Sequence, residues 1–312
     1  MIELIRYTSE YKERWNELVT SSRNGTFLFY REYLDYHSDR FTDCSFLFLK
    51  KGKVEAIIPG NRKNTTYYSH QGLTYGGLVV SPRIVTADIL EIFTIFNKEL
   101  INTGFSEVIY KPVPLIYHTI PSQEDIYALY LCKAEKISCH LSSTIFQKSK
   151  IRFIESRKSG VRKGTREGIN ISEGTDFETF WNILESNLSN KFNITPVHTL
   201  GEIKLLKSRF PENIKLFIAY HKEIALAGTV VYIMKDLIHV QYISANETGK
   251  ALGALDMLFD ELINNIYDFI PVFDFGQSTE KSGHYLNENL IFQKEGFGGR
   301  GVVYETYRYS LQ

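Results

Sequence analysis

The sequence predicts an α/β (α+β) chain of two tandem domains, each a mixed, mostly antiparallel sheet flanked by helices. Three observations carry this prediction. The two halves share one order of helix, hairpin, strand and helix; the strands alternate apolar and polar residues around tight polar turns; and helical periodicity follows an aromatic-rich strand in each half. With 312 residues, 43% of them hydrophobic, the chain has room for two domains that each bury a core.

The composition narrows the classes of function. Basic and acidic side chains both number 36, so the formal net charge is zero and binding of DNA by general charge is not expected. The three cysteines form no CxxC pair and the eight histidines no HExxH or HxH pattern, so neither a disulfide framework nor a metal site is expected. The opening MIELIRYTSE lacks the apolar centre of a signal peptide, and no segment reaches the ~20 apolar residues of a membrane span. We expect a cytoplasmic monomer or homodimer.

The repeat begins with a helix and a hairpin in each half. Trp15–Leu18 and Trp181–Leu184 open similar helical patterns. Phe46–Pro59 and Leu216–Thr229 both alternate as a strand, a tight polar turn and a second strand. The same order in both halves predicts a domain duplication, because the spacing is too large for a solenoid repeat.

A third strand and a helix continue the repeat. Tyr67–Leu78 and Ile238–Ala245 stand where a third strand is expected to run into a helix. Apolar residues recur at three- and four-residue steps in Ala87–Asn102 and Leu252–Ile266, which predicts a helix in each half. Strands and helices at these spacings favour a sheet with helices on its faces.

A basic, polar segment separates the halves. We place the boundary between Ser142 and Glu173 and predict a degenerate domain over residues 1–148 and a second domain over residues 149–312, preceded by a basic helix over residues 150–168. Lysine and arginine recur every four residues in that helix and share one face: Lys158, Arg162 and Arg166. Such a face suits phosphate groups of a nucleotide-linked substrate or of tRNA, although a solvated linker helix has the same pattern.

The last 40 residues carry the most informative pattern. Pro271–Phe275 is typical of a buried strand, and a polar turn over Gly276–Gly283 follows it. A short helix over Asn287–Lys294 then leads through the glycine-rich corner Gly296–Gly299 into an alternating strand, Val302–Tyr309. This order of strand, helix, corner and strand is how an acyltransferase domain of one large superfamily ends.

That superfamily is GNAT, and the second half more closely resembles its FemAB-like branch of duplicated acyl- and aminoacyltransferases. The segments that carry the resemblance are Ile214–Thr229, Gln241–Leu255 and Phe273–Gly301. It covers the chain from Ser149 onward, and the first half as a degenerate copy. The resemblance implies transfer of an acyl (acetyl-type) group from acyl-CoA (acetyl-CoA) to an amine of a small molecule, an amino sugar or a nucleotide-linked cell-envelope polysaccharide precursor.

One departure from the family pattern leaves the donor open. A GNAT acyl-CoA site has the pattern Arg/Gln-x-x-Gly-x-Gly/Ala, whose backbone N–H groups hold the pyrophosphate. Here Lys250–Leu255 reads KALGAL, with leucine in the last small position. An aminoacyl-tRNA donor, as in FemAB-type peptidyltransferases, is therefore one alternative. The other is a non-catalytic module that binds polysaccharide or a nucleotide-linked sugar.

The resemblance places donor contacts in the third strand, the turn after it and the last helix. The expected donor-binding residues are Gln241, Tyr242, Ile243, Gly249, Lys250, Gly253 and Lys294. Lys294 is expected either to stabilise a tetrahedral intermediate or to hold a donor phosphate.

Three side chains are candidates for proton transfer. An acyl transfer to an amine needs a base, and Asp274 or Glu280 in the polar turn after a buried strand can supply it. Asp274 has the alternative of capping that turn. Tyr304, in the last strand, is a candidate general acid, with core packing as its alternative.

Acceptor contacts are expected from the basic helix, the third strand and the polar turn. The residues are Arg157, Lys158, Arg162, Lys163, His239, Gln277, Ser278, Arg300 and Tyr75. His239 has the alternative of a satisfied, partly buried histidine. Tyr75 belongs to the aromatic and glycine cluster of Tyr67–Gly77, which either lines an acceptor pocket or packs as a strand turn.

Overall fold

The computed structural model describes residues 1–192 and 195–312 and divides them into two compact units. The first unit comprises Met1–Leu141, Thr279–Tyr285 and Val303–Gln312, and the second comprises Ser142–Ser278 and Leu286–Val302. The boundary predicted between residues 148 and 149 separates the two repeated segments of the sequence. The division into compact units does not test it, so it stays a prediction.

The chain alternates between strands and helices throughout. In chain order the described helices are α1 Lys12–Ser21, α2 Arg31–Leu34, α3 Thr86–Asn102, α4 Glu124–Leu131, α5 Glu155–Arg166, α6 Phe177–Phe192, α7 Leu200–Arg209, α8 Glu247–Leu252, α9 Ala254–Glu261 and α10 Glu288–Gly296. The described strands are β1 Ile2–Arg6, β2 Thr42–Asp43, β3 Phe46–Lys50, β4 Lys53–Ile58, β5 Asn61–Lys63, β6 Thr66–Tyr68, β7 Val79–Val80, β8 Glu107–Tyr110, β9 Glu135–Phe146, β10 Asn170–Gly174, β11 Ile214–His221, β12 Ile224–Ile233, β13 Leu237–Ala245, β14 Val272–Gln277, β15 Thr279–Glu280, β16 Tyr285–Leu286 and β17 Arg300–Ser310. None of these helices combines the length and apolar composition that a bilayer-spanning segment needs.

The first unit holds two sets of paired strands. β1, β3, β4 and β7 pair antiparallel in that order. β17 pairs antiparallel with β8, β8 parallel with β6, and β6 continues antiparallel through β5 to β2. Helix α3 packs its apolar face, including Phe96, against Phe46, Phe48 and Tyr67, and the ring pairs meet edge to face. Burial of these large rings stabilises the unit.

The second unit is organised around one set of strands. β10, β11, β12 and β13 pair antiparallel in that order, β14 pairs parallel with β13, and β9 pairs antiparallel with β14. Helix α9 covers this sheet and buries Leu258 and Phe259, and the Phe259 ring packs edge to face against Phe273 and Phe275 and at a tilt against Phe297. Phe297 in the glycine-rich corner is therefore a core residue.

The elements predicted from periodicity are confirmed. Both hairpins, the two predicted helices, the strand before the polar turn, the helix after it and the closing strand all occur. The basic helix is shorter than predicted and covers Glu155–Arg166. The mixed, mostly antiparallel sheets flanked by helices also confirm the predicted fold class.

The third strand predicted over Tyr67–Leu78 is wrong. In that range the structure has only the last two residues of β6, and the strand that pairs with β4 is the two-residue β7, which follows the range. Gly77 adopts φ of +78°, and a Cβ at Gly76 would stand 1.7 Å from the carbonyl oxygen of Ser69, so the segment turns tightly instead of extending.

Candidate active site

Two neighbouring strands of the second unit separate at one pair of residues. The parallel ladder between β13 and β14 joins Leu237 to Val272, Ile238 to Phe273 and His239 to Asp274. In the described residues the ladder ends there, while β13 continues to Ala245. Beyond His239, the backbone N–H and C=O groups on the β14 side of β13 are therefore not paired with β14 in a ladder.

A β-bulge lies directly after this point in each strand. In β13, Tyr242 pairs with Val230 and Val240 with Val231, so Gln241 is the extra residue. In β14, the pairing with β9 shifts between Asp274 and Gln277. Bulges bend a strand and interrupt its ladder, and they account for the separation.

Gly276 lies within the β14 bulge and has φ of +73°. A Cβ at this position would stand 3.3 Å from Cε1 and 3.8 Å from Nε2 of His239. Glycine is therefore required for the backbone conformation, and its missing side chain leaves space beside the imidazole.

Asp274 is fully buried and accepts hydrogen bonds from three side chains. Ser142 Oγ donates to Oδ1 at 2.6 Å and Thr144 Oγ1 to the same oxygen at 2.8 Å. His239 Nδ1 lies 2.7 Å from Oδ2, and 12% of the His239 side chain is exposed. A carboxylate with this set of donors is stabilised in its ionised form. Because it is fully buried, the carboxylate is not placed for direct contact with a substrate, which argues against its predicted role as the direct base.

Lys294 is a buried cation at the bulged end of β14. Its side chain is 5% exposed, and Nζ donates to the carbonyl oxygens of Gly276 at 2.8 Å and Gln277 at 2.7 Å. Burial lowers the pKa of Lys294 to about 8, and the Asp274 carboxylate opposes that shift. The lysine stabilises the bulged end of β14 and places positive charge beside the separated strands.

A cleft of about 380 Å³ lies in the same unit, between α6, the end of β13, α8, α9 and α10. Its apolar lining includes Leu184, Ile243 and Leu290. Its polar lining comes from Asn187, Ser244, Lys250, Asn287, Asn289 and Gln293. An apolar cavity with a few convergent polar groups is the usual form of a small-molecule site. Of the expected donor contacts, Ile243 and Lys250 line this cleft.

Tyr242 points away from the cleft lining. Its hydroxyl lies 2.5 Å from Nδ1 of His198, and its ring packs against Trp181 at 5.1 Å between centroids. Tyr242 is therefore a packing residue in this structure.

The start of α8 does not form a pyrophosphate cradle. The Asn246 side chain accepts from the Gly249 N–H at 2.7 Å, and Glu247 occupies the first turn and pairs with Lys250. A Cβ at Gly249 would stand 2.4 Å from the Leu226 carbonyl oxygen, so its glycine is explained by helix packing. An anion at this helix start would find the Gly249 N–H already bonded, the Glu247 carboxylate beside it and Lys250 already paired, so binding is disfavoured.

Gly253 has an equally local explanation. It adopts φ of +77° between α8 and α9, and a Cβ there would stand 2.5 Å from the Gly160 carbonyl oxygen of α5. The glycine permits a left-handed turn and close helix packing. The residues expected to hold the phosphates of coenzyme A therefore do not fit that group.

The basic helix α5 divides into a packed and an exposed side. Arg157 donates to Asp256 at 2.7 Å and lies over the Phe297 ring, so it is engaged inside the unit. Lys158, Arg162 and Arg166 are exposed, as the four-residue spacing predicts, and Lys163 is half-buried. Arg162 forms an exposed ion pair with Glu155.

The other predicted residues of the second unit do not gather in the cleft lining. Ser278 is buried, and its Oγ has no hydrogen-bond partner among the described residues. Gln277 is half-buried, and its backbone carbonyl oxygen accepts a hydrogen bond from Lys294. Arg300 is exposed and donates to the Gly299 carbonyl oxygen at 2.6 Å.

Three predicted residues lie in the first unit. Tyr304 is buried, and its hydroxyl lies 2.7 Å from that of Tyr117, so its predicted alternative of core packing describes it. Tyr75 is buried and donates to Thr26 Oγ1 at 3.1 Å. Glu280 is exposed in β15.

Sequence reasoning missed the donors to Asp274 and most of the polar cleft lining. Ser142 and Thr144 are two residues apart in β9 and therefore share one face of the strand. This spacing is the signal that the sequence carries for them. Their partner is 130 residues or more away, so only the strand register identifies it.

Comparisons with known proteins show the fold. No family model matches the sequence, and no curated protein matches it at the level of sequence similarity. A crystal structure of FemX matches with a TM-score of 0.72 at 10% identity, over 99% of this chain and 97% of that one. The chain thus has the same fold as FemX.

Two further structures have the same fold. L-PGS from Bacillus licheniformis matches with a TM-score of 0.62 at 10% identity, over 95% of this chain and 90% of that one. A tandem GNAT protein from the clavulanic acid biosynthesis pathway matches with a TM-score of 0.55 at 9% identity, over 100% and 99%. The likeness extends over both halves of the chain, in agreement with the predicted duplication of GNAT-like domains.

Proposed function

We propose that this protein is a transferase that moves an acyl or aminoacyl group from an activated ester or thioester to an amine. The observation that carries the proposal is the separation of β13 from β14 at His239 and Asp274, in a unit that also contains a 380 Å³ cleft. The FemAB-like fold supports it, since the resemblance implies this chemistry.

The chain's own groups supply orientation and charge. The bulged edge of β13 offers backbone groups that β14 does not use, and these can bind an acyl carbonyl or an amide of the donor. The apolar lining at Leu184, Ile243 and Leu290 excludes water from the acyl group. Holding the amine and the carbonyl together supplies much of the acceleration, because it removes the entropy cost of their encounter.

For the donor, we propose an activated ester without a pyrophosphate grip, of which an aminoacyl-tRNA is the leading case. The capped start of α8 disfavours acyl-CoA. The exposed cations Lys158, Arg162 and Arg166 of α5 suit a phosphate backbone. The proposed acceptor is an amine on a small molecule, amino sugar or nucleotide-linked cell-envelope precursor, which rests on the FemAB resemblance.

The test is a panel of donors with a panel of amines. Acetyl-CoA, free coenzyme A, alanyl-tRNA and uncharged tRNA are measured for binding by thermal shift and for transfer to amino sugars and nucleotide-linked amino sugars. We expect transfer from an ester donor and no stabilisation by free coenzyme A. Stabilisation by nucleotide-linked sugars with no transfer from any donor would replace the enzyme by a binding module.

The tRNA arm has its own matched control. Lys158→Ala with Arg162→Ala removes two exposed charges from α5, and Lys204→Ala with Lys235→Ala removes two charges elsewhere in the second unit. If α5 contacts tRNA, the α5 double variant should make the plot of log association constant for tRNA against log salt concentration less steep by about 1–2. The control double variant should leave that slope unchanged. Equal slopes in both double variants would contradict tRNA binding through α5.

A further inference from the structure

The buried carboxylate of Asp274 and the imidazole of His239, 12% exposed, form a hydrogen-bonded pair at the last paired position of β13 and β14. Nδ1 of His239 is the ring nitrogen that faces Asp274, at 2.7 Å. In the neutral imidazole a proton on Nδ1 makes Nε2 the acceptor nitrogen. Asp274 is held by Ser142 and Thr144 and fully buried, so it fixes the tautomer and the ring orientation.

The position of the ring relative to the strands is equally specific. His239 pairs with Asp274 at the last position of the ladder, directly before the bulge at Gln241. Its Cε1 and Nε2 edge faces Gly276, where the absence of a side chain leaves room. A basic nitrogen thus lies where the two strands begin to separate, which is where the proposed function places the reacting groups.

We infer that His239 accepts the proton of the attacking amine and that Asp274 is its positioning residue. This inference rests on the proposed function. The neutral amine attacks the carbonyl carbon and the C–N bond forms, and Nε2 takes the N–H proton from the tetrahedral intermediate. The C–O or C–S bond of the donor then breaks, and the leaving oxygen or sulfur takes that proton from the imidazolium. Imidazole is regenerated, and the products are an amide and an alcohol or thiol.

Of the charged groups around the pair, the Asp274 carboxylate favours this role, whereas the nearby Lys294 ammonium opposes a second positive charge. The Asp274 carboxylate stabilises the imidazolium that forms during the reaction. Lys294, packed from α10, has its ammonium directed to the carbonyl oxygens of Gly276 and Gln277. The two hydroxyl donors from β9 also hold the carboxylate.

The kinetic test uses the donor and amine that the panel identifies. kcat/KM is measured from pH 5.5 to 9.5 for wild type, His239→Gln, Asp274→Asn and the control His221→Gln, a histidine on β11. We expect His239→Gln to lower kcat/KM by about 10²–10⁴-fold and to remove the part of the acidic limb that the imidazole contributes, which leaves the limb set by protonation of the amine. Asp274→Asn should lower the rate, and His221→Gln should change neither the rate nor the limb. A rate within threefold of wild type and an unchanged acidic limb in His239→Gln would overturn the inference, while the transferase would stand.

A second measurement does not depend on activity. Nitrogen-15 NMR of the histidine rings assigns the His239 signals by their loss in His239→Gln and reports which ring nitrogen carries the proton in wild type and Asp274→Asn. We expect the proton on Nδ1 in wild type and a mixture of both tautomers in Asp274→Asn, because the hydrogen bond to the carboxylate sets the tautomer. The same tautomer mixture in both proteins would show that Asp274 does not align the ring and would overturn the inference, whether or not transfer is found.

Discussion

The side-chain ammonium of Lys294 donates to the carbonyl oxygen of Gly276 at 2.8 Å and so ties helix α10 to the bulged end of β14. The bond places a buried cation beside the two separated strands. The contact requires the segment between Gly276 and Lys294 to fold back, so that α10 packs against the end of β14. Several measurable properties follow from this and similar contacts.

Lys294 makes the stability of the protein depend on alkaline pH. Burial lowers its pKa from 10.5 to about 8, so between these values the unfolded chain binds more protons than the native one. The free energy of unfolding should therefore rise from pH 8 to pH 10, by about 3 kcal/mol from this group. Urea unfolding of wild type and Lys294→Met should show the rise only in wild type. Parallel pH curves would contradict the assigned burial of the charge.

Gly253 is predicted to be intolerant of a side chain. In Gly253→Ala the Cβ meets the Gly160 carbonyl oxygen at 2.5 Å, and the backbone holds φ of +77°. We expect a loss of about 2–5 kcal/mol in the free energy of unfolding. Gly174→Ala is the matched control, because no atom lies within 4 Å of a Cβ there. Denaturant unfolding compares the two, and equal stabilities would show that α5 and α8 are not packed as described.

Arg157 and Arg162 lie on the same helix but are predicted to differ in their effect on stability. Arg157→Ala leaves the largely buried carboxylate of Asp256 without its 2.7 Å partner, and we expect a loss of about 3–5 kcal/mol. Arg162→Ala removes only an exposed pair and should leave the melting temperature unchanged. Thermal unfolding of both variants is the measurement. A loss of similar size in Arg162→Ala would contradict the packed and exposed sides assigned to α5.

The half-buried His118 and the buried Asp125 of the first unit should have opposite effects on stability in acid. Burial lowers the pKa of His118 to about 4, so its contribution to stability is lost as the pH falls from about 6.5 to 4. Burial raises the pKa of Asp125 to about 6, against the hydrogen bond from Tyr110, so folding is favoured by protonation and stability is lost as the pH rises from about 4 to 6.

Single variants should separate these two effects. Relative to wild type, His118→Gln should gain stability as the pH falls from 6.5 to 4, and Asp125→Asn should lose it over the same range, each by about 3 kcal/mol. Urea unfolding at several pH values measures both differences. Differences of the same sign would show that one of the two side chains is hydrated rather than buried.

Local patterns determined much of the fold. Alternation identified the hairpins of both halves, and three- and four-residue periodicity identified α3 and α9, because these patterns depend only on which side of one element faces a core. The same reasoning failed at Tyr67–Leu78, where aromatic residues typical of a strand fill a tight turn. A contact with Ser69, visible only in the folded chain, requires glycine at position 76.

The sequence by itself determined the duplicated α/β fold, the exposed face of the basic helix and the importance of the segment after Pro271. The tertiary structure alone decided what individual residues do there. Asp274 changed from a candidate base to the buried partner of His239, since its donors Ser142 and Thr144 reach it through strand register. Gly249 and Gly253 changed from a phosphate cradle to packing contacts. The physical reason is that burial and hydrogen-bond partners arise from residues far apart in the chain, and a local pattern carries no information about them.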